Sequence, residues 1–377
     1  MIIYEDYMDS KKILIISASF YPEISPRSFR TTELAKELSK KGHDVTVLVP
    51  LNGNDYSSFE KEHALRIKDL GSPKWKGIEL KGGRIEFFLR RAIRRLLLQL
   101  FEWPDIELMF KVSRILKAEN GYDLLISIAV PYSIHWGVAQ ARRVDRRIAE
   151  CWAADCGDPY MGDTTDSFRK LFYFRYLEKW FCRKADFITV PFEGARSAYY
   201  PEFQDKIRII PQGFQLENMN LPEYKKTCDY PVFAYAGAFI PGKRDPDPLL
   251  NFLSTCDRKF KFVVYTLQEG MLLNAKKSLK EKLEIRGIIP RDELLTILSG
   301  MDFLINFDNN TQTQLPSKLI DYSITGRPVL NISTEADFSV LLEFMNGNYS
   351  RKMNLEPPIN YDIKVVAEKF THLCKTV

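Results

Sequence analysis

Residues 12–50 read KILIISASFYPEISPRSFRTTELAKELSKKGHDVTVLVP, and the change of hydrophobic period inside this stretch decides the fold. Residues 12–20 form a short, isoleucine-rich apolar run, the pattern of a strand covered on both faces. A polar turn follows, and across 28–41 Phe29, Leu34, Ala35 and Leu38 recur at helical spacing. Residues 44–50 are apolar again. Strand, helix and strand within about forty residues predict a βαβ unit, hence a parallel sheet with a right-handed crossover.

Further buried strands are expected at 123–129 and 185–190, so the first half is doubly wound. A polar, proline-containing stretch at 215–230 interrupts the pattern. It then resumes, with strands expected at 232–237, 260–266, 283–289, 302–307 and 328–332 and helical segments between them. The chain has 377 residues, more than one hydrophobic core usually organises. Two Rossmann-like α/β domains are therefore expected, residues 1–217 and 218–377, facing each other across a cleft that the loops after the strands would line.

Composition narrows the functional classes. With 45% hydrophobic and 27% charged residues, both halves can bury a core and disorder is not expected. A net charge of +5 is mild for this length, and its basic residues are interleaved with acidic ones, so nucleic acid is not an expected partner. The six cysteines show no C-x-x-C pair and no histidines at ligand spacing, which predicts reduced thiols and no metal site. No secretory signal and no apolar run of membrane-crossing length are evident, so a cytoplasmic location is expected.

The loop after the first strand, YPEISPRS at 21–28, contains no glycine. The G-x-G-x-x-G fingerprint of a nicotinamide or flavin enzyme is thus missing from its place, while Arg27 puts a cation there. In the second half, the strand ending at Gly237 runs into AFIPGKRD (238–245), which sets Lys243 and Arg244 before a helix started by proline. Arginine suits a diphosphate clamp because its planar fork pairs two phosphate oxygens and stays charged. The stretch NNTQTQLPSKLIDYSITGRPVL (309–330) holds a helix signalled by Pro316 and Ser317 at its start and Gly326 at its end. Its first N–H groups, near Ser317 and Lys318, form an anion site. Asp321, one turn deeper on the face of Ser317, either accepts hydrogen bonds from two ribose hydroxyls or merely complements the helix dipole.

Together, residues 21–50, AECWAADCGDP (149–159), YAGAFIPGKRDPDPLL (235–250) and LPSKLIDYSITGRPVL (315–330) resemble the family-four type of retaining glycosyltransferase with the GT-B fold. The resemblance spans nearly the whole chain. It implies transfer of a sugar from a UDP- or GDP-linked donor with retention of configuration, no metal or other cofactor, and a hexosyl or N-acetylhexosaminyl type of enzyme. By position it assigns catalytic roles to Asp158, Arg244 and Lys318. Donor binding falls to Arg27, Gly237, Lys243, Arg244, Ile288, Ile289, Ser317, Lys318 and Asp321, with the backbone at Gly287, Ile288 and Ile289 at the base. Two positions depart from the family's pattern: Thr313 stands where a first acid is expected, and Ala238 where an arginine often follows the glycine. A nucleotide-sugar epimerase of the same fold and a catalytically silent, glycosyltransferase-like binding subunit are the competing readings. His135 could contact the sugar, but a lone histidine in such a loop is more often structural.

One segment stands apart. In RIEFFLRRAIRRLLLQLF (84–101), Ile85, Phe88, Leu89, Ala92, Ile93, Leu96, Leu97 and Leu100 share a helical face, with Arg90, Arg91, Arg94 and Arg95 opposite. Such a helix either lies in a membrane interface or packs its apolar face on the first domain. The membrane alternative would suit a lipid-linked saccharide acceptor and assembly of a bacterial surface polysaccharide.

Overall fold

The computed structural model describes residues 10–142, 148–163, 169–217, 219–308, 318–333 and 337–374. The chain divides into two units, Met1–Gln215 with Tyr361–Val377, and Leu216–Asn360. The first carries β1 (Lys12–Ile16), α1 (Pro26–Lys40), β2 (Asp44–Val49), α2 (Ser57–His63), β3 (Arg66–Asp69), α3 (Arg84–Phe101), α4 (Glu107–Ile115), β4 (Tyr122–Ala129), α5 (Ser133–Ala141), β5 (Ala149–Cys156), α6 (Phe174–Lys184), β6 (Phe187–Val190) and β7 (Ile207–Ile209). The second carries β8 (Val232–Ala236), α7 (Asp247–Ser254), β9 (Lys261–Tyr265), α8 (Leu273–Leu279), β10 (Leu283–Arg286), α9 (Arg291–Ser299), β11 (Phe303–Phe307), α10 (Lys318–Thr325), β12 (Val329–Ile332) and α11 (Ser339–Met345). Helix α12 (Ile363–Leu373) closes the chain.

Both sheets are parallel. Their strand orders are β3-β2-β1-β4-β5-β6-β7 and β10-β9-β8-β11-β12. Strand alternation builds the layers: Leu14 and Ile16 of β1 join one core with Leu125 and Trp152, while Ile13 and Ile15 join the opposite core with Leu34, Ala35 and Leu38 of α1. Helix α1 starts where a serine and a proline allow it, the Ser25 hydroxyl accepting from the Ser28 N–H with Pro26 in the first turn. Phe29, read as part of the buried face, is instead 52% exposed. It sits on the far side of α1 from Leu34 and Leu38, and the buried neighbour is Arg30. In the second unit Phe233 of β8 stacks between Phe262 and Phe303, with ring centroids 5.0 and 4.6 Å away.

The domain boundary needs a correction. The sequence reading gave all of 218–377 to the second domain, but Tyr361 onward belongs to the first unit. Ile363, Val366 and Phe370 of α12 pack with Ile13, Ile15 and Leu34, each such burial contributing roughly 1.5–3 kcal/mol. The return is fixed by backbone pairing, the Phe214 N–H donating to Tyr361 C=O at 2.8 Å and the Ile363 N–H to Phe214 C=O at 2.9 Å. Periodicity shows that a helix must bury a face; it does not show which sheet offers the complementary one.

Candidate active site

The second sheet reverses its winding between β8 and β11, since the chain proceeds outward to β9 and β10 on one side and to β12 on the other. Ligands of open α/β sheets sit beyond the strand carboxyl ends at such a reversal. A cavity of about 260 Å³ occurs there, walled by Gly237 and Ala238 after β8, Ile288 and Ile289 after β10, and Lys318 and Asp321 of α10. Gly237 has φ +147°, and a Cβ on it would lie 3.1 Å from the Tyr235 hydroxyl. Glycine therefore keeps the backbone open to a ligand at this wall.

Lys318 supplies the site's main charge. Its Nζ lies 4.3 Å from the centroid of the Tyr235 ring and is buried with no hydrogen-bond acceptor among the described residues. Burial, and then the positive field of Arg244, press its pKa from 10.5 down to about 7. Arg244 arrives by a tight reversal in which the Ile240 N–H donates to Arg244 C=O at 3.1 Å and the Lys243 N–H to Ile240 C=O at 3.0 Å. Gly242, at φ +71°, takes the left-handed position that this turn requires. The Arg244 Nε is also buried without a partner among the described residues. Between the two cations lies Tyr235, whose hydroxyl donates to Ala238 C=O at 2.8 Å and is pushed up to about 12 by burial, with Arg244 pulling the other way.

Two neighbouring cations without counter-ions are costly in a protein interior. An anion with charge on two adjacent groups, such as a diphosphate, would remove that cost. Asp321 does not: Arg291 Nε and Nη2 both donate to its Oδ1, at 2.8 and 2.6 Å, so these two charges cancel each other. Burial raises the Asp321 pKa, and Arg291 opposes the rise. The Oδ2 atom is left by Arg291 as an acceptor, compatible with the ribose contact expected from the sequence.

Of the other expected donor-site residues, Ile288 is exposed at the cavity rim and Ile289 half-buried in its wall. Gly287 is exposed. Neither Lys243 nor Arg244 lines the cavity itself: Lys243 is exposed on the turn, whereas Arg244 is half-buried beside Tyr235 behind the wall. Ser317, like Thr313, lies outside the described residues. The sequence reading missed Tyr235 and Arg291. Tyr235 could have been found as an aromatic two positions before Gly237, inside a strand otherwise small or apolar; Arg291 follows Pro290 as the first residue of α9.

In the first unit, Arg27 of α1 and Asp158 beyond β5 form an ion pair at 2.6 Å. Gly157 makes room for it, since a side chain there would collide with the Arg27 guanidinium. The Tyr132 hydroxyl donates to Asp158 C=O at 2.5 Å. His135 takes the structural role. It is buried, its Nδ1 is 2.8 Å from Ser127 Oγ, and burial lowers its pKa to about 3, so it stays neutral. All six cysteines are free thiols.

No curated protein matches the sequence. Among solved structures, a glycosyltransferase from Rickettsia africae is similar at 12% identity, over 98% of this chain and 99% of that one, with a TM-score of 0.58. The lipopolysaccharide outer core galactosyltransferase WaaB, in its apo form, is similar at 11% identity, over 97% and 99% of the two chains, with a TM-score of 0.61. Anabaena HepE in complex with UDP and glucose is similar at 11% identity, over 97% and 100%, with a TM-score of 0.55. At these identities the likeness is one of fold, and the two parallel sheets with alternating helices are those of GT-B glycosyltransferases. Residues 29–218 match the model of Glycosyltransferase Family 4. That match takes in just over half of the chain, and the chain belongs to this family of glycosyltransferases.

Proposed function

We propose that the second unit binds a UDP- or GDP-linked hexose or N-acetylhexosamine and that the enzyme transfers this sugar, with retention, to a saccharide acceptor. The observation that carries the reading is the pair of uncompensated cations, Lys318 and Arg244, beside Gly237 at the reversal of the second sheet. As the bond between sugar and diphosphate breaks, negative charge gathers on the leaving phosphate. Arg244, and Lys318 once the bound diphosphate has restored its proton, are already in place to stabilise that build-up without reorganising. Ile288 and Ile289 would take the base, Asp321 Oδ2 the ribose, and Ser317 and Lys243 outer phosphate contacts. Arg27 would contact the donor and Asp158 the reacting centre. The acceptor's proton would pass to the leaving phosphate on the same face of the sugar, so no separate protein base is assigned. Charge neutralisation by Lys318 and Arg244 would fill the place of a divalent cation, so transfer is expected to survive EDTA.

HepE, of the same fold, holds UDP and glucose, and WaaB is a lipopolysaccharide outer core galactosyltransferase. These two neighbours support a nucleotide-sugar donor and a role in bacterial surface polysaccharide assembly on a lipid-linked acceptor. The test is a thermal-shift and donor-hydrolysis panel of UDP- and GDP-sugars on the full chain. A ligand at about 100 times its Kd stabilises the fold by about 2.7 kcal/mol. The shift is expected for the parent and is lost in Arg244→Ala and Lys318→Met. Equal shifts in parent and variants would take these residues out of the donor site. A shift without release of nucleoside diphosphate would leave a silent binding subunit, and release of an altered nucleotide sugar an epimerase.

A further inference from the structure

Helix α3 forms where the sequence places it, yet none of its residues is buried. Its apolar stripe is open to solvent, with Ile85 86%, Leu89 59% and Leu96 55% exposed. Only the C-terminal turn, with Leu97 and Leu100 half-buried, packs on the first unit; the rest of the stripe does not. The helix is anchored near its C-terminal end, where the Gln99 side-chain amide donates to Arg169 C=O and the Tyr173 hydroxyl to Leu100 C=O. Beyond that end the apolar surface continues through Phe101, Phe110 and Phe172, all about half exposed or more. Trp75, stacked on Trp103 at 4.5 Å, lies against Phe110 at 6.2 Å. An open apolar face of this extent marks an interaction site.

Charge selects the occupant. The helix carries Arg84, Arg90, Arg91, Arg94 and Arg95 against a single acid, Glu86, which Arg90 already engages at 2.5 Å. A second copy of this chain seated on the stripe would bring like charges together. Anionic headgroups would neutralise the exposed Arg84, Arg91 and Arg94, the guanidinium groups reaching out on their long stems while the stripe enters the acyl boundary. Exposed tryptophan and phenylalanine at the edge of such a face suit the interfacial layer. No helix among the described residues is long and apolar enough to cross a membrane, so α3 would lie on the bilayer.

We propose that α3, extended by Phe101, Trp75 and Phe110, docks the first unit on an anionic lipid bilayer. The α3 surface shares no residue with the proposed donor site. The test is flotation of the full chain with phosphatidylcholine vesicles and with equimolar phosphatidylcholine and phosphatidylglycerol vesicles. Flotation is expected with the anionic vesicles alone, weakening as salt rises. Replacing the exposed Arg91 and Arg94 by Gln should lower partitioning about fivefold per residue. Ile85→Asp with Leu89→Asp should abolish it even on anionic lipid. Because these side chains are exposed, melting temperature and the thermal shift with nucleoside diphosphate are expected to be unchanged, which separates failure here from failure of the donor site. Equal flotation on both vesicles, flotation of the variants like the parent, or a concentration-dependent dimer that Ile85→Asp dissolves without any vesicle binding would each overturn the proposal.

Discussion

The two sheets are alike at one end and unlike at the other. At their amino ends both use a carboxylate to hold the unit's first strand: Asp123 Oδ2 accepts from the Lys12 N–H at 2.6 Å, and Asp302 Oδ2 accepts from the Val232 N–H at 2.7 Å. At their carboxyl ends the first sheet pairs its arginines with acids. Arg30 grips Asp155 through Nε and Nη2 at 3.0 and 2.9 Å, with Thr189 donating to the same carboxylate at 2.6 Å, and Arg27 holds Asp158. The second sheet leaves Lys318 Nζ and Arg244 Nε buried without a hydrogen-bond partner among the described residues. A cation with its acid beside it consolidates a fold, whereas one held without an acid is available to a ligand. The same topology thus pairs its charges in one unit, and in the other keeps two cations that the proposed donor would pair.

The comparison breaks most visibly at Arg30. Burial pushes Asp155 up, but Arg30 and Thr189 outweigh it and hold the carboxyl below its ordinary range. Replacing Arg30 with Met leaves that carboxylate buried and unpaired, and urea unfolding should show a loss of about 3–5 kcal/mol. A loss under about 1 kcal/mol would mean that the pair does not secure the first unit.

Lys318→Met should act in the opposite sense. Removing a buried, uncompensated cation raises the melting temperature of the unliganded protein, while transfer falls by about 10²–10³ as a charge-stabilising group is lost. Calorimetry and a donor-turnover assay read the two effects separately. A lower melting temperature would show that Lys318 is an internal structural group after all.

Titration sharpens the same point. Lys318 has a pKa of about 7 in the folded chain against an ordinary 10.5. Between these values the unfolded state holds a proton that the folded state lacks, so this group makes stability rise with pH from about 7 towards 10.5. A bound diphosphate favours the ammonium and raises its pKa. Nucleotide binding should therefore take up a proton, and affinity should fall by up to about tenfold per pH unit above neutrality. Isothermal titration in buffers of different ionisation enthalpy counts that proton. Absence of uptake at about pH 8 would disconnect Lys318 from the phosphate.

The smallest effect is expected at Arg27. Its ion pair with Asp158 has a partner 51% exposed, and Arg27→Ala should cost no more than about 1 kcal/mol of stability. If Arg27 reaches the donor, KM for the nucleotide sugar rises although the fold is nearly unchanged; an unaltered KM removes Arg27 from the site.

The period change between residues 12 and 50, the resumed alternation after the linker and the turn residues around α10 were enough to read two parallel α/β sheets, most of their strands and the amphipathic α3. These are local properties, because backbone geometry and the hydrophobic period are written within a few turns of chain. The same reading named Gly237, Arg244, Lys318 and Asp321, which the second unit brings to one cavity wall or beside it. It did not see that α12 returns to the first unit, that Arg291 neutralises Asp321, that Tyr235 lies between Lys318 and Arg244, or that Lys243 turns outward. Each of these depends on which surfaces meet in space and on the charge left over once neighbours have paired. Burial and pairing are sums over distant residues, so the tertiary structure alone decides whether a given cation is a strut or a binding group.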